Sequence, residues 1–305
     1  MATPHLQQAM QGTQTTLGSQ AVLLERFHAF TGALPARDAQ DLMAYPFFSL
    51  GKSQRTTPID FRTKAVTVRV EGTAQHGIAT IWDADILIWA ASQIIEARDA
   101  GIRPSRLMAA TPYEILRFIG RGTSLRDYQR LKAALDRLQS TSIATSIRQP
   151  NTRRLHRFSW INEWKECADG QGRALGIELI LPDWFYAGVL HDNLVLTIDA
   201  NYFKLTGGIE RWLYRLVRKH GGWQAEGWRF DFPYLHRKSG SLARFSDFAG
   251  DLRRIAARQS LPGYKLTVLR PPHHATGKPG HEVLAFRAVP STAPLRLGGS
   301  FHPGA

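Results

Sequence analysis

Arg126, Gln129, Arg130 and Arg137 recur at helical spacing in a stretch that opens at Ser124 and runs to Gln139. At about 100° per residue they lie opposite Leu125, Tyr128, Leu131, Leu135 and Leu138. A guanidinium can donate to both O6 and N7 of guanine, and a carboxamide can pair in the same two-pronged way with adenine. A helix divided like this can stay packed on one side while its polar side enters the major groove of a DNA duplex. A solvated cationic face with no ligand would show the same pattern.

A second stretch, from Arg244 to Gln259, has Phe245, Phe248, Leu252, Ile255 and Ala256 as its apolar stripe, with Arg253, Arg254 and Arg258 among its other residues. Arg237, Lys238 and Arg244 come just before or at its start, suitably placed for phosphates. Asp247 and Asp251 interrupt this charge, and an equally good reading is a helix held by local Asp–Arg pairs. Two loops add further cations. Arg148, Arg153, Arg154 and Arg157 surround a turn at Pro150-Asn151, and Arg270, His273, His274, Lys278 and His281 mark a Pro/Gly loop. Both loops suit phosphate or minor-groove contact, although a mobile surface loop would have the same composition.

No chemistry of bond making is expected. A phosphate-binding G-x-x-x-x-G-K-[ST] motif is absent, and Gly120-Arg121-Gly122-Thr123-Ser124 lacks its lysine and spacing. His273, His274 and His281 have only Glu282 as a nearby carboxylate and no helix to fix their geometry, so no metal site and no cofactor are expected. The His-apolar-His element of a rolling-circle nickase is missing as well. Cys167 is the single cysteine, which rules out an intrachain disulfide and fits a reducing cytoplasm.

The elements that would carry these side chains can be read from periodicity and punctuation. Alternating residues predict a strand over Ala65–Val70 and another over Ile78–Trp82. Ile86, Leu87, Trp89, Ala90, Ile94 and Ile95 predict an amphipathic helix stopped by Gly101. Thr111 and Pro112 start a short helix that ends at Gly120, and Thr123 or Ser124 caps the longer one. Two helices joined by a tight glycine turn make a helix-turn-helix. Ser142–Arg148 and Leu155–Trp164 then read as a hairpin, completing the order of a winged helix.

The remaining chain repeats that order after further elements at Leu175–Leu181, Pro182–Ala187 and Leu194–Ile198. Helices are expected at about Thr206–His220, Asp231–Lys238 and Arg244–Gln259, and strands at Tyr264–Leu269 and His281–Val289. The expected fold is therefore α+β, with two tandem winged-helix domains. Residues 1–44 read as a partly disordered leader with a short helix over Ala21–Phe30. Residues 45–192 and 193–289 read as the two domains, and 290–305 as a flexible tail.

Charge supports a polyanionic partner. The chain of 305 residues has a formal net charge of +14 and 43 % hydrophobic residues, enough for a real core. Residues 101–165 hold 13 basic and 4 acidic residues, and residues 201–290 hold 16 and 6. Two basic segments fit double-stranded DNA better than a lipid surface, because no basic amphipathic helix stands alone as a membrane anchor. No apolar run approaches the roughly 20 residues of a membrane span.

The segment Tyr45-Pro46-Phe47-Phe48-Ser49-Leu50-Gly51-Lys52-Ser53-Gln54-Arg55 runs into Thr57-Pro58-Ile59, and Ile81-Trp82-Asp83-Ala84-Asp85 leads into a helix. With the basic helix after Ser124, these stretches resemble the plasmid replication initiator protein A family, over about Tyr45 to Val289. The resemblance implies a protein that binds repeated origin sites, helps to open nearby DNA and recruits the host replication machinery, without nuclease or nucleotidase activity. It leaves room for contacts with a host initiator and the replicative helicase, and for a homodimer. A winged-helix transcriptional regulator is the alternative function.

Overall fold

Short alternating segments near the start of the chain form strands that belong to the fold. β1 (Arg26–His28) buries Phe27 between exposed Arg26 and His28, and pairs in parallel with Leu107–Ala109. β2 (Arg37–Ala39) pairs antiparallel with Val195–Thr197 and leads into α1 (Gln40–Ala44). The expected leader is thus integrated from residue 24 onward, and the helix expected up to Phe30 gives way to a strand because a sheet edge supplies its backbone partners. The computed structural model describes residues 24–149, 155–191, 194–221, 226–270 and 280–289.

The first half continues with β3 (Ile59–Arg62), β4 (Thr67–Glu71), α2 (Ala84–Asp99), β5 (Leu107–Ala110), α3 (Pro112–Phe118) and α4 (Leu125–Ser140). It closes with β6 (Ser142–Thr145), β7 (His156–Ser159), β8 (Glu163–Ala168), β9 (Ala174–Ile180) and α5 (Asp183–Leu190). The strand expected over Ile78–Trp82 is a turn with a single bridge, Ser49 to Thr80, and the Asp83 carboxylate accepts the Thr80 N–H at 2.7 Å. α2 is buried around nearly its whole circumference, not along one stripe, because other elements pack on several of its sides.

The first half has two four-stranded sheets, in the orders β3-β4-β6-β7 and β1-β5-β9-β8. The hairpin expected after α4 does form, pairing Ser142 with Ser159 and Thr145 with His156. It joins β4, however, and not the strand between α2 and α3. That strand, β5, pairs with β9, and β9 with β8. The hairpin that shares a sheet with the strand of the helix-turn-helix unit is therefore β8–β9.

The second half contains β10 (Val195–Thr197), a 3-10 turn (Ala200–Lys204), α6 (Gly208–His220), β11 (Trp228–Asp231), α7 (Phe232–Ser239), α8 (Phe245–Arg258), β12 (Tyr264–Leu269) and β13 (Val283–Ala288). Its sheet has the order β11-β13-β12. The sequence α6, β11, α7, α8, β12, β13 thus repeats α2, β5, α3, α4, β8, β9, with the same strand order in each sheet. β6 and β7 are an insertion in the first copy. The protein is a mixed α+β fold with a repeated topology.

The buried side chains form two clusters, one drawn from residues 27–189 and the other mainly from residues 198–286. The cluster around α6 and α8 takes in Ala36, Met43 and Ile88 from the first half. Arg211 and Arg215, one turn apart on α6, reach the buried carboxylates of Asp85 and Asp38 at 2.7 and 2.6 Å. All four side chains are almost fully enclosed. Removing one partner from such a pair leaves an uncompensated buried charge, at a cost of about 3–5 kcal/mol.

Candidate nucleic-acid interface

The turn before α4 is built by a few local groups. Thr111 caps α3: its hydroxyl accepts the Glu114 N–H, and Glu114 accepts the Thr111 N–H. Gly120, with φ of +67°, ends that helix in the left-handed conformation that glycine adopts without strain. Arg121 donates to the buried Asp85 at 3.2 Å, which ties the turn to α2. At Ser124 the backbone N–H and the hydroxyl both donate to Asp127, at 3.2 and 2.6 Å. These bonds, the hydroxyl first, hold the Asp127 carboxyl below the usual range.

Leu131, Ala134, Leu135 and Leu138 anchor α4 in the core. Leu125, expected on the same stripe, is instead 76 % exposed, because the first turn of the helix projects beyond the packed region. Arg126, Gln129 and Arg130 are exposed on α4. Among the described residues no hydrogen bond or ion pair ties down the Arg126 or Gln129 side chain, and Arg130 lies 3.6 Å from Asp127. Arg137 is different. It makes two bonds, at 2.7 and 2.8 Å, to the buried Asp83 carboxylate, and so fastens α4 to the start of α2. Its guanidinium is already committed, unlike that of Arg126.

A cleft of about 460 Å³ opens beside α4, with Lys52, His76, Trp82, Arg121, Arg130 and Arg137 in its lining. The Lys52 ammonium stands 5.6 Å from the Trp82 ring. Lys52, His76 and Arg121 add positive or protonatable groups next to the exposed face of α4. Sequence reasoning did not single them out. Lys52 falls within the segment that carries the family resemblance, and Arg121 within the helix-turn-helix turn, but nothing local marks either as facing this helix. Arg153 and Arg154 lie outside the described residues.

In the second copy Gly240, with φ of +62°, ends α7, and Arg244 stands exposed immediately before α8. No side-chain hydrogen bond or ion pair holds Arg244 among the described residues. Local pairing claims other cations of this half. Arg254 pairs with Asp251, and Arg258 reaches Glu210 at 2.8 Å. Arg253 and Arg270 share the Glu282 carboxylate at 2.6 and 3.3 Å; Arg253 first, then Arg270, keeps that carboxyl below the usual range.

Lys238 is only 6 % exposed and stands 4.8 Å from the Tyr45 ring, with the Phe61 and Tyr234 rings near it. Burial, helped by Lys219, pushes its ammonium down to about 8. An ammonium enclosed by rings in this way packs the two halves together and is poorly placed to meet a phosphate. Lys278 lies outside the described residues.

An exposed arginine without a hydrogen bond or ion pair among the described residues thus stands at the start of each helix, Arg126 just inside α4 and Arg244 just before α8. The replication initiator protein A family matches residues 37–266. The chain belongs to that family. The resemblance carried by Tyr45–Arg55 and Ile81–Asp85 is thereby borne out. A protein of Wigglesworthia glossinidia brevipalpis described as "Putative replication protein" is 33 % identical over 228 residues, covering 73 % of this chain and 82 % of that one. Two crystal structures of domains 2 and 3 of RctB share the fold at 14 % identity. One has a TM-score of 0.57 and covers 79 % of this chain and 94 % of its own; the other has 0.53, with 82 % and 97 %. Among the described residues no helix is long and apolar enough to cross a membrane.

Proposed function

We propose that this replication initiator is a non-enzymatic origin-binding protein with two winged-helix units, whose reading helices are α4 and α8. The observation that carries this reading is the pair of equivalent helix starts, each with an exposed cation, Arg126 or Arg244, that no hydrogen bond or ion pair holds among the described residues. Third helices of helix-turn-helix units place their early residues against base edges. In the cleft beside α4 the arginines are tied to Asp83, Asp85 and Asp127, which leaves Lys52 as the landing point for a flanking phosphate. On this reading β8–β9 and β12–β13 are the wings, and the first wing lies later in the chain than composition suggested. Two linked units would read repeated double-stranded sites in a plasmid origin, and opening of nearby DNA with recruitment of a host initiator or the replicative helicase would follow binding.

Arg126→Ala tests the reading. Titrated against duplexes that the wild-type chain selects from a random pool, the variant should lose roughly 1–3 kcal/mol of affinity and relax preference at one base pair, with unchanged thermal stability. Equal weakening on selected and scrambled duplexes would make Arg126 a phosphate contact. For the biological role, the chain is supplied in trans to a marked plasmid whose only origin is the DNA flanking its reading frame. Replication is expected; repression of a neighbouring promoter without replication would favour the regulator instead.

A further inference from the structure

The two copies align closely through their turns. Gly240 repeats Gly120, Phe245 repeats Leu125, Asp247 repeats Asp127 and Phe248 repeats Tyr128, and in both copies four residues separate the left-handed glycine from the helix start. Tyr128 packs against the core and Phe248 is fully buried. The first residue of each helix does the opposite. Leu125 is 76 % and Phe245 42 % exposed. Single exposed apolar side chains are common on protein surfaces; these two are set apart by standing at the same point of two units that share almost no sequence. Each also sits beside a cation, Arg126 or Arg244, that no hydrogen bond or ion pair holds among the described residues.

An apolar side chain flanked by such cations suits a surface that is anionic overall yet carries small apolar groups. The major groove of DNA is such a surface, because each thymine projects a C5 methyl group among phosphates and polar base edges. We propose that Leu125 and Phe245 are specificity-determining residues that each cover a thymine methyl, so that each unit reads one thymine by apolar contact next to its arginine. The Phe245 ring is set for this by the His236 ring, whose centroid lies 5.7 Å away at an interplanar angle of 62°. His236 in turn bonds the Ala243 carbonyl at 2.8 Å, which fixes the turn below. This inference rests on the origin-binding reading above and adds to it the identity of the base.

Replacing thymine by deoxyuridine tests it, because that change removes the methyl and leaves every hydrogen-bonding group in place. Duplexes selected by the wild-type chain from a random pool are resynthesised with uracil at one thymine at a time and titrated with wild type, Leu125→Ala and Phe245→Ala. The wild type should weaken about threefold to fivefold at one thymine per unit, the worth of one buried methyl. Leu125→Ala should become indifferent to uracil at one of these positions and keep its sensitivity at the other, and Phe245→Ala should do the converse. Wild-type binding that is sequence-selective but blind to uracil would overturn the inference and leave the origin-binding reading standing. So would variants that bind as wild type but no longer self-associate in sedimentation, which would assign these side chains to a second copy of the chain. A wild-type chain that enriches no sequence from the pool would overturn both.

Discussion

Single residues in this protein divide by whether their charge already has a partner, and that division does not follow their position on a helix. Arg126 and Arg137 share one face of α4 by angle, yet among the described residues no hydrogen bond or ion pair holds Arg126, while Arg137 is locked onto Asp83. Periodicity gave the face correctly and could not separate the two, because Asp83 lies far away along the chain. Leu125 shows the same limit from the apolar side: its angle matches the core stripe, but the core ends below it. Titration adds a residue-scale prediction at His220, which packs beside Trp228 and Phe230 at the end of α6. Burial, with Lys219 and Lys238, pushes its imidazole down to about 4. Between about pH 4 and 6.5 the unfolded chain binds a proton that folded His220 does not. Stability should therefore fall as pH drops through that window, by on the order of 1–3 kcal/mol. Urea unfolding of wild type and His220→Gln across the range should show the slope in the first and a shallower one in the second.

Elements were legible where a local signal fixed them. Thr111-Pro112 predicted the start of α3, and the capping bonds to Glu114 are the reason. Gly120 predicted the turn of the first copy, and it and Gly240, which ends α7, both adopt positive φ. β5 and β11 gave no such signal, since Leu107–Ala110 and Trp228–Asp231 are four-residue strands whose partners come from distant segments. Without β5, the choice between β6–β7 and β8–β9 as the hairpin of the unit had nothing to decide it. The two glycines also differ in surroundings. An added Cβ at Gly120 would meet only the Phe203 Cβ at 3.7 Å, whereas at Gly240 it would press on Pro46 and Ile59 at 3.0 and 3.1 Å. Alanine should cost about 1–2 kcal/mol at Gly120, from the left-handed conformation alone. It should cost more at Gly240, where the two halves meet. Paired thermal melts of the two variants measure the difference, and equal costs would mean that the junction yields freely.

At the scale of the whole molecule, two buried clusters are joined by contacts that include the ion pairs of Arg211 and Arg215 with Asp85 and Asp38. Sequence order showed the repeat but not the junction, because Asp38 and Asp85 look like ordinary surface acids until α6 is folded against them. Asp38→Ala should destabilise the full chain by about 3–5 kcal/mol, since it leaves Arg215 charged and enclosed. Arg173→Ala, which breaks the exposed pair with Asp169 and keeps the backbone bonds that Asp169 accepts, should cost well under 1 kcal/mol. Chemical denaturation of both variants tests this contrast, and a mild effect at Asp38 would show that water reaches Arg215.

The ion pairs of α6 also bear on how the protein would measure DNA. If α4 and α8 read DNA as proposed, Arg211 and Arg215, fastened to acids of the first half, would keep the two helices from swivelling independently, like a caliper of fixed opening. The duplex turns once in about 10–10.5 base pairs, so half-sites must present themselves in one rotational phase. Inserting five base pairs between them should turn the second half-site to the far side and abolish joint binding, and inserting ten should restore the phase but not the distance. A chain with a pliable junction would tolerate the longer insertion; this one should reject both.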